Sequence, residues 1–378
     1  MANEMREHDS GAVTTQSPSV ARIASLDWVR GWFLVGSVTT VSVLAPRPDQ
    51  LKHAQWFGLT VEDTIFPLFV VLSGCGLAFA YRNRVGWGAI SRRSVVLLLC
   101  GLVYNAVAAG SLDLATLRVT GPLQIYAVLV LVVGLLHLTA RTPQGWALIT
   151  AFVALGQGAF LILWQLGCPG GELSRECNPS ATIDAAIFGS AHLYASGAAG
   201  HDPEGVVGIL GALLTACVGT TAGHLALSAR GTRRAPLFLI GWAAAVVIAA
   251  LVAAQLMPAM KRLWTTPFAL GIAAAGVALL ALGMALLDLP ARAGWARVRE
   301  RLAWPQIAMG RNSLLVYFGS HLLMLVLLSR GGEPSWAERV ARAVDVVGHP
   351  RASFVVAMLV AWGGLAALLH RRQIYLRP

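Results

Sequence analysis

The chain is poor in charge, and lysine is almost absent from it. Charged residues make up 12% of its 378 positions and hydrophobic residues 56%, whereas a soluble domain carries about 25% charge. It also lacks a glycine-rich phosphate loop, a His-Glu-x-x-His helix and a Gly-x-Ser-x-Gly elbow. These absences exclude an ordinary soluble domain and leave no motif typical of P-loop proteins, zinc proteases or serine hydrolases.

The chain has instead a series of long apolar runs, which recur from Gly31 to Leu369. Each run is long enough to cross a hydrocarbon core of about 30 Å as a helix. We therefore predict an all-α fold, a polytopic transmembrane helical bundle of about ten spans. The predicted spans are 28–46, 59–81, 94–110, 119–138, 146–166, 205–227, 237–257, 266–288, 307–329 and 351–369.

The distribution of charge predicts the orientation of these spans. A net charge of +11 could indicate a nucleic-acid partner, but the arginines cluster in alternate loops, at 82–93, 230–234, 292–301 and 371–377. Such clusters mark the cytoplasmic loops of membrane proteins. We therefore expect a multi-pass protein of the cell membrane with both termini in the cytoplasm, and we expect no nucleic-acid partner.

Two segments follow from this arrangement. Residues 1–24 are polar and have no apolar core like that of a signal peptide, so we expect a disordered cytoplasmic tail. Residues 25–378 then form one transmembrane domain, whose outer loop 167–204 is unusually long. Cys168 and Cys177 lie in this loop and predict a disulfide, because no second ligand pair is near enough for a zinc site.

The start of the second span carries the polar residues that are hardest to explain structurally. His53 and Trp56 precede the span, and Glu62 and Asp63 enter it just before a long apolar run. Charge at that depth is expensive and often marks a site. His53 could act as a general base or carry an acyl group, with Asp63 orienting its imidazole. Alternatively, His53 is a solvated interfacial residue.

Several polar residues at the ends of other spans allow both structural and functional interpretations. Arg30 lies one helical turn from Asp27, where it is either a flanking charge or a phosphate ligand. Arg311 lies at a cytoplasmic helix start and is a candidate anion contact. Gln124 lies within the fourth span, where its amide either packs against other helices or lines a cavity.

The outer loops supply candidates for binding a polar acceptor. Carboxylates and histidines of the 167–204 loop are of the kind that a sugar or amine site uses: Asp184, His192, Asp202 and Glu204. Lys261 and Trp264 lie in another outer loop, although a tryptophan there also fits an aromatic belt.

These residues fall in blocks that resemble the heparan-α-glucosaminide N-acetyltransferase family and its bacterial relatives. The resemblance runs from Arg22 to Pro378, and its strongest block is His53-Ala-x-Trp56-x-Gly58-Leu-Thr60-Val-x-Asp63-x-x-Phe66-Pro67-x-Phe69. The supporting blocks, in order, are SLDWVRG (25–31), LRVTGPLQ (117–124), GCPGG (167–171), AHLY (191–194), HDPEG (201–205), KRLWT (261–265) and GRNSLLVY (310–317).

The resemblance implies a membrane acetyltransferase that takes the acetyl group from cytosolic acetyl-CoA and acetylates an amino sugar on the far side of the membrane. The family's active-site histidine falls on His53, with Asp63 beside it. For such a reaction we predict that Arg30, Arg92, Arg93, Gln124 and Arg311 bind the donor. The predicted acceptor-binding residues are Trp56, Asp184, His192, Asp202, Glu204, Lys261 and Trp264. No metal is implied.

The chain departs from the family at three places, which leaves the acceptor open. Val41 or Ser42 stands where the family has an asparagine, Ile125 follows Gln124 in place of an arginine, and Met260 replaces another asparagine. An O-acyltransferase of an envelope glycan or lipid is therefore an alternative. A transporter of an acidic solute is a second alternative, although it usually has two related halves. The expected partners are acetyl-CoA, a saccharide acceptor and membrane lipid, and a homodimer is compatible with them.

Overall fold

The computed structural model describes residues 23–291 and 293–376, and residues 1–22 of the predicted tail lie outside this part of the chain. The described residues form thirteen α-helices joined by loops. The helices are α1 (Ala24–Ser42), α2 (Val61–Tyr81), α3 (Trp87–Ala109), α4 (Pro122–Leu136), α5 (Pro143–Leu166), α6 (Pro179–Phe188), α7 (Val206–Ser228), α8 (Arg234–Ala254), α9 (Thr266–Leu287), α10 (Ala293–Arg311), α11 (Ser313–Ser329), α12 (Trp336–Ala343) and α13 (Pro350–Arg371).

The predicted all-α membrane fold is confirmed. Within the described residues, seven helices are long and apolar enough to cross a membrane, namely α2, α3, α5, α7, α8, α9 and α13. The α10–α11 pair is an eighth candidate, but it bends by 68° at Asn312, so the predicted span 307–329 is not one straight helix. The apolar helix α4 is shorter than these spans, and α1 is not among the candidates.

Helix α7 lies at the centre of the bundle, where it packs closely against α2. Glycines permit this approach: a Cβ atom on Gly74 would lie 2.1 Å from the carbonyl oxygen of Ala216, and one on Gly219 would lie 2.1 Å from that of Val71. In contrast, α5, α8 and α13 bury few of their apolar side chains inside the bundle. Such faces suit contact with lipid tails.

The long 167–204 loop folds back against the segment that precedes α2. The predicted disulfide between Cys168 and Cys177 is present. Close to it, the indole Nε1 of Trp56 donates to the carbonyl oxygen of Leu173 at 2.9 Å. The disulfide loop therefore anchors the segment that carries His53.

Candidate active site

His53 and Asp63 form a hydrogen-bonded pair at the start of α2. The Nδ1 atom of His53 lies 2.8 Å from Oδ1 of Asp63. The other oxygen of Asp63 accepts from the backbone nitrogens of Ala54 at 3.1 Å and Thr60 at 3.2 Å, and from the Thr60 hydroxyl at 2.9 Å. Thr60 and Asp63 together make a capping box, so the same local sequence that starts the helix also fixes the carboxylate.

This geometry sets the tautomer of the imidazole. A carboxylate only accepts hydrogen bonds, so Nδ1 of a neutral His53 carries the proton and Nε2 keeps its lone pair. Asp63 is buried, whereas the His53 side chain is 46% exposed. His53 is therefore oriented by a buried acid and still accessible, which is the arrangement that a general base requires.

Trp56 helps to hold the segment that carries His53. Its side chain is buried, and its ring meets that of His201 edge-on at 5.0 Å. On the other side, Nε of Arg262 donates to the carbonyl oxygen of Ala54 at 3.0 Å. Trp56 is not among the residues that line the cavity beside His53, and its contacts are with Leu173 and His201. Its contact with the acceptor stays a prediction.

A cavity of about 250 Å³, called here the His53 cavity, opens beside this pair. Its lining includes the predicted residues His53, Asp63, Gln124, Glu204 and Lys261. It also includes residues to which the sequence predictions assigned no binding or catalytic role, namely Glu62, Tyr104, Asn105, Tyr317 and His321.

Glu204 lies between two basic side chains at the edge of this cavity. Its Oε1 accepts from Nζ of Lys261 at 3.1 Å, and its Oε2 accepts from Arg118 at 2.8 Å. Burial alone would raise the pKa of Glu204, but Lys261 and Arg118 outweigh burial and lower this pKa to about 2. Glu204 is therefore ionised and fully paired, and it is unavailable as a base.

Glu62 differs from the other acids of the His53 cavity. Its Oε2 atom is buried and has no hydrogen-bond partner among the described residues. Asp63 is paired with His53, and Glu204 is paired with two cations. Among the described acids that line the His53 cavity, Glu62 is therefore the one that can still pair with a ligand. Glu62 falls on an open position of the resembling block, so the resemblance assigns it no role.

A second cavity, of about 520 Å³, is called here the Arg30 cavity. Three of the predicted donor-binding residues line it: Arg30, Arg93 and Arg311. Asp27 lies 3.4 Å from Arg30 and 3.6 Å from Arg311, so one carboxylate pairs with both guanidinium groups. The neighbouring Arg92 is exposed and lines neither cavity.

The two cavities lie end to end along the same helices. On α1, Arg30 lines the Arg30 cavity and Thr40 lines the His53 cavity, a separation of about 15 Å along the helix axis. Helices α2, α3 and α11 also line one cavity over one stretch and the other over the next. Leu123 and Tyr317 line both, so they form the partition between a cationic chamber and the His53–Asp63 pair.

The buried acids Asp184 and Asp202 of the outer loop do not line the His53 cavity, and both accept from backbone nitrogens. Asp202 also pairs with Arg118, which does line that cavity. Asp184 accepts from the Ser180 hydroxyl at 2.6 Å and from the backbone nitrogen of Val206 at 2.7 Å. Asp202 accepts from the Thr120 hydroxyl at 2.6 Å. Because buried polar groups are normally satisfied in this way, these contacts give both residues a place in the loop architecture, and their contact with the acceptor stays a prediction.

His192 and Trp264 also take structural positions. The Nδ1 atom of His192 donates to the carbonyl oxygen of Leu117 at 2.8 Å. Trp264 is fully buried, and its Nε1 donates to the hydroxyl of Thr215 at 3.0 Å. Neither residue lines the His53 cavity. Over the described residues, no group of three or more His, Cys, Asp or Glu is placed to hold a metal.

Part of the chain matches a known protein family. Residues 22–167 match a family model described as "Heparan-alpha-glucosaminide N-acetyltransferase, catalytic". The resemblance to this family is confirmed. The matched region contains His53, Asp63 and Gln124, whereas Glu204, Lys261 and Arg311 lie beyond it.

Two curated relatives carry the same family name. The heparan-alpha-glucosaminide N-acetyltransferase of Homo sapiens is 26% identical over 359 residues, which covers 79% of this chain and 52% of the relative. That of Mus musculus is 24% identical over 368 residues, which covers 82% of this chain and 55% of the relative. The chain thus spans about half the length of the curated relatives that it matches.

Proposed function

We propose that this multi-pass membrane protein is an acetyltransferase that moves an acetyl group from acetyl-CoA to an amino-sugar acceptor. The observation that carries the proposal is the end-to-end pair of cavities, cationic at one end and holding the His53–Asp63 pair at the other. The similarity to heparan-alpha-glucosaminide N-acetyltransferases supports the reaction class.

The donor enters from the Arg30 cavity. Guanidinium groups bind phosphate oxygens in forked geometry, so Arg30, Arg93 and Arg311 suit the phosphates of coenzyme A. The slender pantetheine arm then passes Leu123 and Tyr317 and brings the thioester into the His53 cavity. In this way the acetyl group crosses the partition while the charged nucleotide end stays behind.

The chemistry takes place at Nε2 of His53. This atom removes a proton from the ammonium group of the acceptor, and the freed nitrogen attacks the carbonyl carbon of the thioester. The C–S bond breaks as the C–N bond forms, and a second proton moves from the nitrogen to the departing thiolate. The imidazolium of His53 then releases the first proton to water, which restores the base. Asp63 holds the imidazole in the tautomer that makes this step feasible, as in other carboxylate–histidine pairs.

Glu62 favours an amine over a hydroxyl as the acceptor. It offers an unpaired carboxylate in the cavity that holds the base, and an ammonium group satisfies such a carboxylate better than a neutral hydroxyl does. We therefore propose N-acylation, and we expect Glu62→Gln to raise the KM for the amino sugar.

The orientation follows from the arginine clusters. The loops at 82–93, 230–234, 292–301 and 371–377 carry them, and the positive-inside rule places such loops in the cytoplasm. We propose that both termini and the Arg30 cavity face the cytoplasm and that the 167–204 loop faces outward. Reporter fusions after Leu369 test this orientation, and an external reporter there would contradict it.

The test of function uses purified protein in lipid nanodiscs with radiolabelled acetyl-CoA. Glucosamine and glucose form a matched acceptor pair, since they differ in one amine against one hydroxyl. Transfer to glucosamine alone supports the proposal, and transfer to both sugars supports O-acylation instead. Uptake of an anionic solute by proteoliposomes without any turnover would favour a transporter.

A further inference from the structure

Gln124 carries a buried amide that nothing in the described protein satisfies. It lies in the first turn of α4 and is 6% exposed. Neither its Nε2 nor its Oε1 has a hydrogen-bond partner among the described residues. Buried side-chain amides in folded proteins are normally paired, so a group outside the described chain is expected to complete this one.

Two glycines make room for this side chain. A Cβ atom on Gly101 of α3 would lie 2.3 Å from Oε1 of Gln124, and one on Gly121 would lie 2.7 Å from the same atom. Any larger residue at these positions would displace the amide. The two glycines thus leave a cradle for the Gln124 amide between α3 and the start of α4.

The cradle faces the path that the donor takes. Gln124 lines the His53 cavity, and its neighbour Leu123 lines both cavities. The amide is therefore next to the partition between the cationic chamber and the base. A ligand that reaches from the one cavity to the other must pass it.

We propose that Gln124 binds the secondary amides of the donor's pantetheine arm, an inference that rests on the proposed function. Gln124 lacks both a donor and an acceptor for its amide. In an extended chain the N–H and the carbonyl of one trans amide point in opposite directions. A single amide of the arm can therefore bind either Oε1 or Nε2 of Gln124, but not both. The two amides of the pantetheine arm together supply the N–H that Oε1 accepts and the carbonyl to which Nε2 donates.

The test compares thioester donors that lose these amides one by one. Acetyl-CoA has both, N,S-diacetylcysteamine has only the amide nearer the sulfur, and S-ethyl thioacetate has none. With Gln124→Met, we expect kcat/KM to fall about tenfold for acetyl-CoA. We expect a smaller fall for N,S-diacetylcysteamine and no change for S-ethyl thioacetate. An equal fall for all three donors, or no fall for any, overturns the proposal.

Gln157 provides the matched control, because it is also buried but fully paired. Its Nε2 donates to the carbonyl oxygen of Trp264 at 2.7 Å, and its Oε1 accepts from the hydroxyl of Thr266 at 3.2 Å. Gln157→Met should lower the unfolding temperature of the ligand-free protein and leave the ratios between donors unchanged. Gln124→Met should preserve or raise that temperature, because it removes an unsatisfied buried amide.

Binding of pantetheine and inhibition by N-acetylglucosamine are two further tests of Gln124. If the wild-type protein turns over no donor, the proposed function fails, and calorimetric binding of pantetheine still decides on Gln124. Weaker pantetheine binding by Gln124→Met than by Gln157→Met supports the proposal, and equal binding overturns it. If only inhibition by N-acetylglucosamine weakens, Gln124 serves the acetamide of the product and not the arm. Gln124→Leu replaces Gln124→Met if the latter does not fold.

Discussion

Exchanging the Asp63 carboxylate for an amide tests the proposed role of the His53–Asp63 pair with little change of shape. In Asp63→Asn, the amide oxygen can still accept from the backbone nitrogens of Ala54 and Thr60, as Oδ2 does now. The NH2 group then faces Nδ1 of His53, 2.8 Å away in the wild type. Because that NH2 group donates, Nδ1 has to accept, and the proton moves to Nε2.

The expected loss follows from this change of tautomer. A protonated Nε2 of a neutral imidazole cannot take the acceptor's proton, so the contribution of general-base catalysis, about 10²- to 10⁴-fold, is removed in part. We expect kcat to fall about 10²-fold in Asp63→Asn and by more, up to about 10⁴-fold, in His53→Ala. Binding of coenzyme A should survive in both variants, because the phosphates occupy the other cavity.

The assay measures acetyl transfer across a range of pH together with the unfolding temperature. Loss of the carboxylate charge from the first turn of α2 should cost about 1 kcal/mol of stability, so the variant should remain folded. Asp49→Asn is the matched control, because Asp49 is 95% exposed and its one ion pair among the described residues is with Lys52. A normal rate and pH profile in Asp63→Asn, or an equal loss in Asp49→Asn, would refute the proposed role of the pair.

Three other changes test the donor site, the disulfide and the pairing of Glu204. Replacing Arg30 or Arg311 with Ala should weaken coenzyme A binding and its dependence on salt, and unchanged affinity in both variants would move the donor site elsewhere. Removing the disulfide between Cys168 and Cys177 should lower stability by about 2 to 3 kcal/mol, seen as a lower unfolding temperature, and thiol labelling of both cysteines in unreduced protein would contradict the bond. The pKa of Glu204 falls from 4.5 to about 2 on folding, so its contribution to stability should be complete above pH 4.5 and be lost as pH falls toward 2. Glu204→Gln should lose that part of the dependence of stability on pH, and an unchanged dependence would contradict the pairing.

The features that the sequence determined by itself are those that depend on short separations along the chain. Apolar length alone predicts membrane helices, because an uninterrupted helix is needed to satisfy its backbone in lipid. Asp63 lies three residues after Thr60, which is the spacing of a capping box, and ten residues after His53. The disulfide joins cysteines nine residues apart. In each case the local chain geometry leaves few alternatives.

The features that only the tertiary structure decided depend on the rotation of helices and on distant loops. Arg92 and Arg93 are adjacent in sequence, yet only Arg93 reaches the Arg30 cavity, because successive residues on a helix point about 100° apart. Gln124 lines the His53 cavity, whereas Arg30, Arg93 and Arg311, which were predicted with it as donor-binding residues, line the Arg30 cavity. Glu204 meets Lys261 across 57 residues. Such long-range contacts decide which polar groups are paired and which stay open to a ligand. The periodicity within one span carries no information about these contacts.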